Sequence, residues 1–361
     1  VGKQVGWYTT TSGLWQPVWL EDVPETYVTD LAVACRLEPS EATITVGLDA
    51  AVAGEATLSL EPRDESIAPV KVTAQLRRGR NEVPVTLPVP GGKLWTPEHP
   101  QLYDYRLTLT QGGSTDEVQS YFGLRTIDTG AVHGQGYESI LLNGEAVYLR
   151  GALHQVFNPE GIYTFPDDQA IRADLALSKQ LGWNFLRLHI KIVDPRFIYW
   201  ADRLGVMLMC DMPNSWDYTH RSRDAWEQTM REAVRRDRCH PCIIAWCDFN
   251  ESWGIGFREL KTNQECQRWV AGMYDLTKQL DPTRLVEDNS ACLYDHVTGD
   301  LNSWHFYIDN EQSATQHIAH VMEETYPGSQ FNFCPGHLQG TQPLLNRDRK
   351  SVVEGKSVDL G

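Results

Sequence analysis

The pattern of the sequence changes once, near Arg125, and that change most restricts the folds open to the chain. Before it, apolar and polar residues alternate. Examples are Ala42-Thr43-Ile44-Thr45-Val46, Ala56-Thr57-Leu58-Ser59-Leu60, and Tyr103 to Thr110, which reads Y-D-Y-R-L-T-L-T. A period of two marks strands that turn one face to a core. Gly91-Gly92 and Gln111-Gly112-Gly113 punctuate the run as turns. The spacing over residues 27–125 predicts a seven-stranded sandwich of roughly 100 residues. After Arg125, short apolar runs (146–149, 185–190, 206–210, 243–249, 285–286 and 301–304) alternate with helical patterns at 168–181, 225–236 and 262–280. Repeated βα units predict a parallel sheet, either doubly wound or closed into an eight-fold barrel. No G-x-G-x-x-G follows the first of these strands, which disfavours a dinucleotide-binding sheet. Six strands are legible and no seventh or eighth. The stretch 127–346 also falls short of the ~250 residues of a complete barrel.

Charge narrows the partners. Asp and Glu number 48 against 32 Lys and Arg, a formal net charge of −16. That field repels phosphate backbones and anionic headgroups, so neither nucleic acid nor a membrane is an expected partner. No apolar run approaches the ~20 residues that span a bilayer. Of eight cysteines, only Cys239 and Cys242 have C-x-x-C spacing, and no second pair accompanies them, so buried thiols are expected. Free thiols lean toward a reducing, cytoplasmic compartment. The chain starts at Val1, so a longer protein with its own leader stays open.

In a barrel the chemistry gathers where strands end. The residues there are His154, Gln155, His189, Lys191, Asp211, Asn250, Glu251, Glu287, Asp288, His305 and Tyr307. With Arg187 pointing inward, alternation would put His189 and Lys191 on the same side. Carboxylate, imidazole and phenol are plentiful, while a serine-nucleophile elbow, a P-loop and H-E-x-x-H are all missing. That composition suits acid/base chemistry on a neutral polar substrate. The strongest local signal is H-P-C-I-I-A-W-C-D-F-N-E-S-W-G over residues 240–254, a buried strand ending in Asn250-Glu251. A glutamate in an apolar surround is a proton donor, and the adjacent amide can hold a sugar hydroxyl. Trp246 and Trp253 are either core residues or platforms for sugar rings.

The H-P-x-x-x-x-W-x-x-x-N-E pattern of residues 240–251 resembles the acid/base strand of glycoside hydrolase family 2, whose members include β-galactosidases, β-glucuronidases and β-mannosidases. T-S-G-L-W-Q-P-V-W-L-E (11–21), L-W-T-P-E-H-P-Q-L-Y (94–103), F-G-L-R (122–125) and I-L-L-N-G-E-A-V-Y-L-R-G (140–151) are similar to stretches of the same family, in the same order. The resemblance implies a multidomain β plus α/β protein. Residues 1–26 would be the last strands of a jelly-roll sugar-binding domain, 27–126 an immunoglobulin-like β-sandwich, and 127–346 an incomplete (β/α)8 TIM barrel. It also implies a β-galactosidase-like retaining exo-β-glycosidase that uses two glutamates on terminal β-linked sugars. A β-glucuronidase, a β-mannosidase or a non-catalytic carbohydrate-binding module is the alternative, and the full-length parent could be a homo-oligomer. Glu251 becomes the acid/base, Asn250 the partner of the sugar 2-hydroxyl, and Tyr307 the tyrosine that contacts the nucleophile. Arg187 matches the arginine of an R-x-S-H motif in which Ile190 stands where histidine is expected; either His189 replaces it or the site recognises a different sugar. His154 departs from R-G-x-N-x-H, and His305 takes a place often held by Asn; both are expected at the substrate, as is Trp253. Met212 lies where some β-galactosidases place an acidic magnesium ligand, so no metal or cofactor is expected. The nucleophile belongs after Asn346, within a Glu-Tyr-Gly-like turn. Residues 347–361 read instead as an artefactual tail, in which Glu354 is not taken as the nucleophile, and the fragment is expected to be inactive.

Overall fold

The computed structural model describes residues 12–132, 138–257 and 259–349. The alternating segments form seven antiparallel strands: β1 (Thr26–Leu37), β2 (Ser40–Ala50), β3 (Gly54–Pro62), β4 (Val70–Leu76), β5 (Gly79–Pro88), β6 (Tyr103–Gln111) and β7 (Ser114–Phe122). They make two sheets, β1-β2-β5 and β4-β3-β6-β7. Ile44, Val46 and Leu48 from one sheet meet Leu58, Leu60, Leu107 and Leu109 from the other, all buried. The intervening Thr and charged residues face outward, which is why the pattern was legible.

Behind the sandwich, β8 (Ile127–Ala131), β9 (Glu138–Leu142) and β10 (Glu145–Ala146) form a small antiparallel sheet. Its hairpin turns at Asn143-Gly144, both with positive φ (57° and 82°), as a tight turn that matches strand twist requires. The barrel follows with β11 (Gly151–His154), α1 (Asp168–Gln180), β12 (Phe185–Leu188), α2 (Pro195–Leu204), β13 (Met207–Asp211), α3 (His220–Asp237), β14 (Ile243–Asn250), α4 (Gln264–Leu280), β15 (Leu285–Ser290), β16 (Asn302–Phe306), α5 (Glu311–Glu324) and β17 (Leu344–Arg349). β11 to β15 form one parallel sheet in chain order, and β16 pairs with β17 in a second. β17 comes round to the side of β11, so seven parallel strands among the described residues make up an incomplete barrel. β13, β14, β15 and β16 are buried at every position, as in a sheet covered on both faces.

Four sequence expectations need correcting. The first barrel strand is Gly151–His154, and the apolar run at 146–149 only leads into it. A seventh strand exists, and it extends to Arg349, past the point where the tail was expected to begin. Two helices lie outside the three helical patterns named from the sequence. α2 opens on Pro195 behind the N-cap Asp194, and α5 has only a weak apolar stripe. The expected jelly-roll strands lie partly outside the described residues, and residues 12–25 carry no strand. That segment lies on the barrel instead: Gln16 Nε2 donates to Ile192 O at 2.7 Å, and Trp15 meets Tyr163 edge-on at 4.5 Å.

Several of the family-like motifs meet at the joint between sandwich and barrel. Trp95 is fully buried and donates from Nε1 to Asp202 O at 2.9 Å. Asp202 also accepts from Tyr121 Oη (2.7 Å), from Cys242 N (2.8 Å) and from His240 Nδ1 (2.5 Å). Burial alone would depress His240, but the Asp202 charge prevails and raises its pKa. Arg125 reaches under the barrel and donates to the carbonyls of Pro241, Thr283 and Ile243. A Cβ at Gly123 would lie 2.8 Å from Pro241 Cβ, so glycine is required where the F-G-L-R turn meets the His-Pro pair. The sandwich therefore grips the base of β14, the strand whose other end carries Glu251.

Candidate active site

β14 runs buried to Asn250, and the chain then turns through two left-handed residues, Glu251 (φ 54°) and Ser252 (φ 59°). Non-glycine residues in this region cost energy and persist only where surroundings hold them. The hold here is dense. Glu251 N donates to Ser290 O (3.0 Å), Ser252 N to Asn289 Oδ1 (3.0 Å), and Ser252 Oγ to Asp295 Oδ2 (2.5 Å).

The turn aims the Glu251 carboxylate at groups from a different strand. Oε1 accepts from Tyr307 Oη at 2.7 Å and lies 2.9 Å from His305 Nε2; Oε2 accepts from Trp253 Nε1 at 3.1 Å. Against a carboxylate the His305 hydrogen belongs on Nε2, which leaves its buried Nδ1 without a partner among the described residues. Glu251 is 7% exposed, whereas Tyr307 is 55% exposed and stands at the rim. Beside them, Asn250 Oδ1 accepts from Arg187 Nη2 at 2.6 Å. A guanidinium only donates, so the amide oxygen faces it and Nδ2 points away, buried and without a partner among the described residues. Arg187 is clamped by Asp211 through Nε (3.1 Å) and Nη2 (2.7 Å). Burial works against its charge, but the Asp211 carboxylate more than offsets that and lifts its pKa above the usual value.

The expected residues therefore separate into two sets. Glu251, Asn250, Arg187, His305, Tyr307 and Trp253 come together. Tyr307 engages Glu251 itself, where the resemblance had it contacting a nucleophile. His154 is turned toward the helices: Nε2 pairs with Asp174 on α1 at 2.8 Å, and Nδ1 accepts from Val156 N at 2.9 Å. With both nitrogens spent it does not join the cluster. His189 Nδ1 lies 3.0 Å from Gln155 Oε1. The alternation argument for His189 and Lys191 fails because β12 ends at Leu188 and Ile190 turns left-handed (φ 45°). Lys191 instead lies in a cage of Trp15, Phe157 and Tyr163, donating to the carbonyls of Val156 and Tyr163; burial pulls its pKa down to about 7.

Sequence reasoning missed two neighbours. Cys292, after β15, brings a ligand-type atom within 4.8 Å of those of Glu251 and His305. Asn214, after β13, donates from Nδ2 to the carbonyls of Asn250 (3.2 Å) and Trp253 (2.8 Å). Neither lies in a motif, and only the meeting of strand ends reveals them.

Next to the cluster, β15 and β16 share no backbone ladder, and side chains bridge them. Ser303 Oγ donates to Glu287, and His296 lies between Asp288 Oδ1 (2.7 Å from Nδ1) and Ser303 O (2.8 Å from Nε2). Burial opposes a charged His296, but Asp288 outweighs it and raises the pKa to about 9. A folded pKa above the unfolded value of about 6.5 adds stability in full below about pH 6.5, and that contribution fades as pH rises through about 9. Thermal melts are expected to fall between pH 7 and 10, and His296→Gln should flatten that dependence. An unchanged slope in the variant would refute the assignment.

The model for glycosyl hydrolases family 2, TIM barrel domain, matches residues 135–333. The chain belongs to glycosyl hydrolases family 2. A second model of the family matches residues 26–125. Among curated relatives, a β-galactosidase of Thermoanaerobacter pseudethanolicus is 26% identical over 66% of this chain and 32% of its own length. A β-glucuronidase of Felis catus is 29% identical over 66% of this chain and 37% of its own. The family 2 chain spans about a quarter to a third of the length of the first curated relatives it matches. In fold, it is similar to a GH2 β-galacturonidase from Eisenbergiella tayi bound to galacturonate, with TM-score 0.73, 19% identity, and coverage of 91% of this chain and 57% of the other.

Proposed function

We propose that this family 2 chain supplies the acid/base half of a β-galactosidase-like retaining exo-β-glycosidase acting on terminal β-linked sugars. The division of the chain at 1–26, 27–126 and 127–346 is part of the same proposal, except that residues 12–25 carry no strand and the last described barrel strand runs on to Arg349. The observation that carries it is the pairing of Glu251, held by donors on both oxygens, with the buried Asn250 Nδ2, which has no partner among the described residues. A buried donor without a partner costs about 1–3 kcal/mol, and a sugar hydroxyl that accepts from Asn250 Nδ2 removes that cost only when substrate binds. Arg187 fixes which way the amide faces.

In the reaction, Glu251 gives its proton to the glycosidic oxygen as the anomeric C–O bond breaks. A second carboxylate about 5–5.5 Å away bonds to the anomeric carbon, and Glu251 then takes a proton from the attacking water. The other buried carboxylates at the strand ends are already engaged: Asp211 with Arg187, Glu287 with Ser303, Asp288 with His296. The second carboxylate is assigned beyond Asn346. A β-glucuronidase is the second reading, supported by the β-glucuronidase among the curated relatives.

A small anion tests this directly. With azide in place of the second carboxylate, the chain should convert an aryl β-galactoside or β-glucuronide into the α-glycosyl azide, with azide bonding to the anomeric carbon as the aryl-oxide leaves. Formation of that product, followed by NMR, is the expected result. No azide product from any aryl β-glycoside would overturn the reading, and hydrolysis without azide would place the nucleophile within this chain.

A further inference from the structure

We infer that the leaving-group side of this site is an aromatic clamp made by Trp216, Trp253 and Phe257, suited to a planar aromatic aglycone. The inference rests on the reading of Glu251 as proton donor and adds the class of group to which that proton goes. Trp253 is registered to the carboxylate, since its Nε1 donates to Glu251 Oε2 at 3.1 Å. Its ring lies nearly parallel to Phe257 (centroids 4.7 Å apart, 16°) and perpendicular to Trp216 (4.7 Å, 89°).

Two loops must touch to build this array. Gly254 (φ 77°) permits it, because a Cβ there would lie 2.6 Å from Ser215 Oγ and 2.9 Å from Ser215 O. The depth of the site sets the orientation. Asn250 and Arg187, which would receive the glycone, are almost wholly buried, while Trp216 is 41% exposed at the outer end. A ligand seated on Asn250 therefore directs its leaving group outward past Trp253 toward Trp216.

The side-chain donors beside Trp216 are committed, while the buried Asn214 Oδ1 has no partner among the described residues. Asn214 Nδ2 is spent on the carbonyls of Asn250 and Trp253, and Ser215 Oγ donates to Asp217 O at 3.0 Å. The wall offers aromatic faces, with its amide and hydroxyl donors already committed, and offset or edge-on ring contacts are what such faces bind well.

The test is a titration of the full chain with phenyl, methyl and glucosyl thio-β-glycosides of galactose and glucuronic acid, read by calorimetry. The phenyl ligand is expected to bind about 3- to 10-fold tighter than the methyl one, the size of one good aromatic contact. Trp216→Ala should erase that advantage while leaving the methyl affinity unchanged, and Trp216→Phe should restore part of it. Circular dichroism confirms that the variant is folded. Equal affinity for phenyl and methyl ligands, an equal loss for both in Trp216→Ala, or tightest binding of the glucosyl ligand would each overturn the clamp and leave the acid/base reading standing. Failure to bind any of the three would overturn both.

Discussion

Glu251→Gln is expected to slow azide-dependent cleavage of a phenyl β-glycoside by about 10²- to 10⁴-fold, the usual contribution of a positioned general acid. The same variant should leave cleavage of a dinitrophenyl β-glycoside nearly unchanged, because that leaving group departs without a proton. Glutamine keeps the volume and one acceptor oxygen, so Tyr307 or Trp253 still has a partner and the left-handed turn at 251–252 is still tied to Ser290, Asn289 and Asp295. Only the transferable proton is lost. A plot of rate against leaving-group acidity is the measurement: steepening in the variant supports proton donation, and a uniform drop across leaving groups assigns Glu251 a binding role.

Trp95→Ala should cost about 3–5 kcal/mol, the range for deleting a large buried aromatic. The side chain is fully enclosed at the joint, its indole N–H holds the Asp202 carbonyl, and Asp202 in turn gathers Tyr121, His240 and the Cys242 amide. Removing it opens a void and orphans a carbonyl in the same place. Urea denaturation monitored by circular dichroism should show the loss, together with a separation of the single transition into two as sandwich and barrel uncouple. Trp95→Phe, which keeps most of the volume, should cost about 1 kcal/mol for the hydrogen bond. A cost below that in the alanine variant would show that the joint is held elsewhere.

The architecture was legible wherever a residue's neighbours in sequence are also its neighbours in space. The sandwich strands alternate because one face is wet, and β14 stood out because its apolar run ends abruptly in Asn-Glu. β17 and α5 lacked such contrast. The motifs were legible as motifs but less so as roles: His240, Pro241 and Arg125 lie within or beside apparently chemical patterns yet fasten one domain to another. At the site, position at a strand end proved necessary and insufficient. His154 and His305 both occupy such ends, but one ring meets a helix carboxylate and the other meets Glu251. That distinction depends on which way a strand's last residue faces, and the left-handed Ile190 shows how quickly alternation fails past a strand's end. Trp216 was invisible because its partner Trp253 lies in another loop.

Two of the groups that hold Glu251, His305 and Tyr307, come from β16 and the residue just beyond it, across the seam that has no ladder. The β16–β17 pair is thus a stave joined to β11–β15 at this seam by side chains, and loosening it would take the His305 and Tyr307 contacts away from the carboxylate. The competence of the site is then a population, set by how often Ser303 and His296 are docked on Glu287 and Asp288. Alkaline pH, acting through His296, would lower that population.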